Sequence, residues 1–150
     1  MKTANKYKIN FDYYDLEDKL SVESVWAIKE DNYYRIQNIP FFIPNIAFGD
    51  LISVEIDENE LYFDEIIETS ENSTLQVIFF DEKDVKTITT KLQSFNCGWE
   101  GSHLSRYISI NVPKNENYFE LKEYLTQLTN SKIIEFKEAC LSNKHKLDIS

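Results

Sequence analysis

Ile52, Val54 and Ile56 alternate with Ser53, Glu55 and Asp57, the period of two expected of a strand with one buried face. The turn Asp57 to Glu60 and the run "LYFDEIIE" follow, so the segment predicts a hairpin. Glu55 and Asp57 leave the same face of it, about 6.8 Å apart at antiparallel rise. An earlier hairpin is predicted by "VESVWAIKEDNYYRIQ", folded about Glu30-Asp31-Asn32 with Trp26 and Ile28 on one face. Between the hairpins lies "NIPFFIPNIAFGD", where Pro40 and Pro44 forbid a central strand. This reads as a stiff connector whose aromatics plug the core between two halves of the chain. A ligand pocket lined by Phe41, Phe42 and Phe48 is the competing reading.

The period changes after Thr74. "TLQVIFF" is an apolar run rich in strand-favouring residues. Asp81, with Asp84 three positions on, then forms a helix-capping pattern, and Val85, Ile88, Leu92 and Phe95 fall on one helical stripe. A second helix is predicted from Asn117, with Glu120 completing its cap, through Tyr118, Leu121, Leu125 and Leu128. The strands "RYISINV" and "IIEFKEA" frame it. A short extended piece at "GWEGS" completes a β-α-β-β-α-β order.

The expected fold class is therefore α+β. N-terminal all-β hairpins, small and barrel-like, over residues 21–72 pack on a C-terminal ferredoxin-like βαββαβ unit over residues 73–141. Residues 1–20 and 142–150 carry weak patterns and are expected to be a weakly ordered extension and tail. The boundary at Glu71-Asn72-Ser73 is short, which predicts close packing of the halves.

Charge sharpens this picture more than composition does. The 150 residues, 42% apolar, suffice for a self-supporting core. The net charge of −10 is unevenly placed: residues 1–81 hold 17 acids against 6 Lys/Arg, and residues 82–150 hold 9 against 10. From Ile36 to Glu82 there are eleven carboxylates and no cation, so no sequence neighbour neutralises them. A solvated face kept for solubility is one reading. The sharper one is a surface that docks a basic protein through Glu55, Asp57, Glu58, Glu60, Asp64 and Glu65, since complementary charge speeds encounter and rejects wrong partners. The same charge disfavours nucleic acid, whose binding needs Lys/Arg on phosphates. No apolar run has the length of a signal peptide or a bilayer span. Cys97 and Cys140, the only cysteines and forty-three positions apart, suit reduced thiols. A cytoplasmic location is expected, with no nucleic-acid or membrane partner.

"NCGWEGSHLSRY" is the most site-like stretch, because it gathers a Cys, a Ser, one of two His and two of three Gly. Gly98 and Gly101 bracket Trp99-Glu100 and point to a shaped loop or hairpin. Trp99, Glu100, Ser102 and His103 are the candidate rim of a pocket. Cys97 and His103 as nucleophile and base would still need an orienting group and oxyanion donors, so a packing turn anchored by Trp99 is the favoured reading and no catalytic residue is assigned. Asp57, Asn59 and Leu61 do not follow a calcium loop, whose glycine is absent. His103 and His145 lie far apart and no C-x-x-C exists for zinc. No metal and no cofactor are expected, and the common nucleotide-binding and acyl-transfer signatures are missing.

Val25-Trp26-Ala27, Asn38-Ile39-Pro40-Phe41-Phe42, Gly49-Asp50, Ser73-Thr74, Cys97-Gly98-Trp99-Glu100-Gly101, Tyr107 and Glu138-Ala139-Cys140-Leu141 together resemble the bacterial family designated domain of unknown function 4265. The resemblance covers roughly Val25 to Leu141 and implies no catalytic position. Two functions are expected in order. The first is a non-enzymatic acidic binding protein, an immunity or antitoxin-type inhibitor holding a basic toxin domain in the cytoplasm. The alternative is a small-molecule sensor or enzyme with a pocket between the two halves. The sequence leaves the oligomeric state open.

Overall fold

The structure, a computed structural model, describes residues 6–150. Five strands form the N-terminal half: β1 (Lys6–Tyr14), β2 (Leu20–Glu30), β3 (Tyr33–Ile36), β4 (Leu51–Asp57) and β5 (Glu60–Glu68). Successive strands pair antiparallel. A short parallel contact, Ile9 with Leu61 and Asn10 with Tyr62, brings β1 against β5 and closes the circle. Ile9, Phe11, Val25, Ala27, Ile36 and Ile52 fill the interior.

One expectation is corrected here. Residues 1–5 of the supposed weakly ordered extension lie outside the described residues, but residues 6–14 are a full strand in register with β2 from Lys6–Ile28 to Tyr14–Leu20. Tyr7, Ile9, Phe11 and Tyr13 supply the period of two, with Ile9 and Phe11 buried and the tyrosines half-buried beside them. The inward face of β2 is Val25 and Ala27, whereas Trp26 is 49% exposed. Ile9 stands opposite Val25 and Tyr7 opposite Ala27, so the small residues sit where the interior is already filled from β1.

The C-terminal half runs β6 (Ser73–Phe79), a short 3-10 turn, α1 (Val85–Ser94), β7 (Gly98–Gly101), β8 (Tyr107–Val112), α2 (Tyr118–Asn130), β9 (Ile134–Cys140) and α3 (Asn143–Asp148). Its sheet has the order β7-β8-β6-β9, every neighbour antiparallel. Leu75, Val77, Phe79, Ile108 and Ile110 on one face meet Ile88 and Leu92 of α1 and Leu121 and Leu125 of α2. The Asp81 side chain accepts the Lys83 N–H and starts the 3-10 turn rather than α1 itself. Asn117 accepts the Phe119 N–H and starts α2. Among the described residues the chain is thus a mixed α+β protein dominated by antiparallel strands, with few helices.

Residues 142–150 are not a loose tail. Ser142 caps α3 by accepting the His145 N–H, and His145 is fully buried. Asp148 accepts the Tyr118 N–H at the start of α2. The polar segment "NKHKLD" has no apolar period to betray it, because polar anchors fix it.

The second face of the C-terminal sheet is partly covered by the connector between β3 and β4, through hydrogen bonds to side chains of the sheet, while Ile78 on that face stays 47% exposed. Glu100 of β7 accepts the Ile39 N–H at 2.9 Å. Ser109 Oγ donates to Ile39 O at 3.3 Å, Thr74 Oγ1 donates to Ile46 O at 2.9 Å, and the Tyr107 hydroxyl donates to Phe41 O. From the other half, the Glu23 carboxylate accepts the N–H groups of Phe41, Phe42 and Ile43 at 2.7, 2.9 and 3.0 Å. An irregular proline-bearing segment has no ladder to satisfy its backbone, so side chains must do it. The plug itself is aliphatic, a correction to the aromatic one expected: Ile39, Ile43, Ile46 and Ala47 are buried, while Phe41, Phe42 and Phe48 are half-buried.

Candidate functional site

The β4–β5 hairpin turns through Glu58 and Asn59, both with positive φ, 49° and 68°. This is the two-residue loop whose twist matches its strands. Asp57 faces Glu60 and Glu55 faces Tyr62 across the hairpin, so these side chains share a face. Glu55, Asp57, Glu58, Glu60, Asp64 and Glu65 are all exposed. None of the six joins an ion pair among the described residues. Glu60 does accept a hydrogen bond from neutral Asn10 at 3.3 Å.

Other acids of the same segment have structural work. Asp50 is 2% exposed and accepts the Ala47 and Ser70 N–H groups at 2.9 and 2.8 Å; burial raises its pKa. Gly49 before it sits at φ +87°, with Ser70 too close for a comfortable Cβ. Glu68 lies 3.8 Å from Arg35, and Glu71 lies 3.0 Å from Lys114. The acidic span therefore divides into structural carboxylates near the sheets and unpaired ones toward the hairpin tip.

Tyr62 reports the local field. Its phenol pKa is raised, first by Glu60, then by burial, and then by Asp57, Asp12 and Glu58. Sequence reading missed Tyr62 and Asp12. Asp12 is nearly fifty positions from Glu60, and only the β1–β5 contact brings it near; no local pattern carries that pairing.

The stretch Asn96 to Tyr107 holds strand β7 and the loop that returns it to β8; Trp99, expected to anchor a packing turn, is 37% exposed instead. Trp99 and Glu100 are consecutive on β7 and point to opposite faces; Glu100 is committed to Ile39. Ser102 Oγ accepts the Leu104 N–H and bonds to the carbonyls of Leu104 and Tyr107. His103 is exposed. Cys97 is buried, its thiol directed at Phe95 O, and burial pushes its pKa up to about 12. The four rim candidates thus do not converge on one pocket. Among the described residues, no three His, Cys, Asp or Glu side chains are grouped to hold a metal ion.

A cleft does lie between the halves, at different residues: Asn45, Asp50, Thr69, Glu71, Asn72 and Cys140 are among its lining, and its volume is about 250 Å³. That is below the usual size of a small-molecule site, and the lining is more polar than such sites are. Burial also pushes the Cys140 thiol up to about 11, so it is not a ready nucleophile there. Ser73 and His145 make the contact closest to a nucleophile and its base, Oγ to Nδ1 at 2.6 Å. Both residues are fully buried, and Ser73 Oγ also accepts the Ser142 N–H. No substrate reaches them.

These features define a two-sheet α+β protein with a polar seam and an acidic hairpin. The chain belongs to the family described as "Domain of unknown function (DUF4265)", whose model matches residues 23–136. A crystal structure described as that of a hypothetical protein from Neisseria gonorrhoeae is similar to it, with 28% identity over 94% of this chain and 99% of that chain and a TM-score of 0.84. No curated protein matches. No helix among the described residues is long and apolar enough to cross a membrane. Several residues of the family resemblance lie at the seam: Ile39, Phe41, Glu100 and Tyr107 at one end, Thr74 and Ala139 at the other, where Ala139 O accepts the Asn45 N–H. They join the halves.

Proposed function

We propose that this chain is a non-enzymatic binding protein that captures a basic protein on the acidic β4–β5 hairpin. The observation that carries the reading is the set Glu55, Asp57, Glu58, Glu60, Asp64 and Glu65, exposed on one hairpin and unpaired among the described residues. Like charges held together cost stability, and a cationic partner removes that cost. The most concrete form is an immunity or antitoxin-type inhibitor of a basic toxin domain in the cytoplasm. The strand order β7-β8-β6-β9 supports a ferredoxin-like reading of the C-terminal half, and the closure of β1 on β5 supports a small barrel at the N-terminal one. Both would serve as rigid mounts for the hairpin.

Affinity capture from the cell that makes the protein, followed by co-expression, tests this. An inhibitor restores growth to cells expressing the captured basic protein, and a variant carrying Glu55→Gln, Asp57→Asn, Glu58→Gln and Glu60→Gln does not. Equal capture and equal rescue by that variant would overturn the reading.

The cleft at Asp50 and Cys140 favours a second reading, a sensor of a small polar molecule between the halves. Calorimetric titration with candidate metabolites from the gene neighbourhood separates it from the first, since the hairpin variant would bind unchanged.

A further inference from the structure

β4 is longer than β3, its neighbour on one side. Its pairing with β3 consists of Ile52 with Tyr34 and Leu51 with Arg35, whereas its pairing with β5 continues to Asp57–Glu60 at the tip. From Val54 outward, the edge of β4 away from β5 has no strand partner among the described residues.

The hairpin geometry fixes which groups that edge presents. Asp57 and Glu60 flank a two-residue turn, so they exchange the narrow pair of backbone hydrogen bonds. Glu55, two residues back, also directs its N–H and C=O toward β5. Val54 and Ile56 therefore direct theirs outward. Ile56 carries an exposed apolar side chain, 73% accessible, and Glu55 and Asp57 display carboxylates on the opposite face.

Unpaired edges invite strand addition, and proteins commonly blunt them with charge. The charge here is selective. A second copy of this edge would set Glu55 and Asp57 against their own equivalents, which is destabilising. A strand alternating Lys/Arg with apolar residues would pair its cations with Glu55 and Asp57 and cover Ile56.

We infer that an extended basic segment of the partner adds to the sheet as a strand along the Val54–Ile56 edge of β4. The inference rests on the reading of the hairpin as a basic-protein site and specifies its mode. Main-chain hydrogen bonds supply affinity and the alternating side chains supply choice, as in other strand-addition complexes.

Two short peptides of equal charge test it against the full chain at low salt: one alternates lysine with valine, and the other alternates lysine with proline and cannot pair as a strand. The lysine–valine peptide is expected to bind at least about fivefold tighter, the worth of one or two net hydrogen bonds. Ile56→Pro removes an outward N–H without touching the ladder to β5, and it should abolish that difference. A lysine–valine peptide N-methylated at alternate residues gives the same test without altering the protein, should Ile56→Pro fail to fold. Equal binding of all peptides, lost only in the Glu55→Gln/Asp57→Asn variant, would overturn strand addition and leave the basic-partner reading standing. No binding of any peptide would count against both.

Discussion

His145 Nδ1 lies 2.6 Å from Ser73 Oγ, and neither residue has any surface in contact with water. Nε2 is 3.0 Å from Pro113 O, an acceptor only, so Nε2 carries the proton and Nδ1 accepts from the serine hydroxyl. A fully buried neutral imidazole thus ties α3 to β6 and to the end of β8.

This tie makes stability depend on pH. Burial lowers the His145 pKa, and this outweighs the raising effect of the hydrogen bond to Pro113; Lys144 adds to the lowering, with Asp148 and the Glu116 backbone opposing it less. The unfolded chain binds a proton near pH 6.5, the folded one only at lower pH. Stability is therefore complete above about pH 6.5 and falls as pH drops through that value toward the folded pKa. Urea midpoints measured from pH 7.5 down to 5.5 should decline in the wild type. His145→Gln should be less stable at neutral pH by about 1–3 kcal/mol and should lose that part of the slope.

Glu23 is predicted to be among the most stability-sensitive acids. Its carboxylate serves three consecutive N–H groups of the connector, and no ladder replaces it. Glu23→Ala should cost about 1–3 kcal/mol, because partly buried donors would be left unpaired. Glu23→Gln retains an acceptor oxygen and should cost less. Denaturant unfolding followed by tryptophan fluorescence distinguishes them.

The hairpin acids should behave oppositely. Asp57→Asn or Glu60→Gln removes one of two like charges facing across the strands, and each should stabilise the free protein by about 0.2–1 kcal/mol at low salt. The gain should shrink in high salt. Glu60→Gln should also bring the Tyr62 phenol back toward its ordinary range, read by ultraviolet titration, since Glu60 is the largest cause of its rise.

Cys97 and Cys140 should resist alkylation in the folded protein at neutral pH. Their thiols are pushed up to about 12 and about 11 by burial, so almost no thiolate is present. Mass spectrometry after brief iodoacetamide treatment should find both unmodified until denaturant is added. Rapid native labelling of Cys97 would reopen its role as a nucleophile.

What the sequence revealed follows from where the deciding forces are local. Alternation at 52–57 and the helical stripe at Ile88 and Leu92 are packing signals carried by near neighbours, and both elements are present where they were expected. The exposed acids were legible for the same reason. β1 hides in the sequence because tyrosines at positions 7 and 13 disguise an alternation completed by Ile9 and Phe11. α3 was invisible because its anchor is one histidine bonded to Ser73, seventy-two positions away. Glu100 looked like a rim residue, and its partner, the Ile39 N–H, is sixty-one positions distant. A polar residue's role depends on which unpaired backbone group folding brings to it, and sequence spacing does not encode that.

Recruitment of a cationic protein by the unpaired carboxylates at the β4–β5 tip is what we propose for this chain. The most direct measurement is the association rate with the captured basic partner as a function of salt, for the wild type and for the variant neutralised at Glu55, Asp57, Glu58 and Glu60. The wild-type rate should fall steeply with salt, and the variant rate should be slower at low salt and nearly flat. Identical rates and identical salt dependence for the two proteins would contradict it.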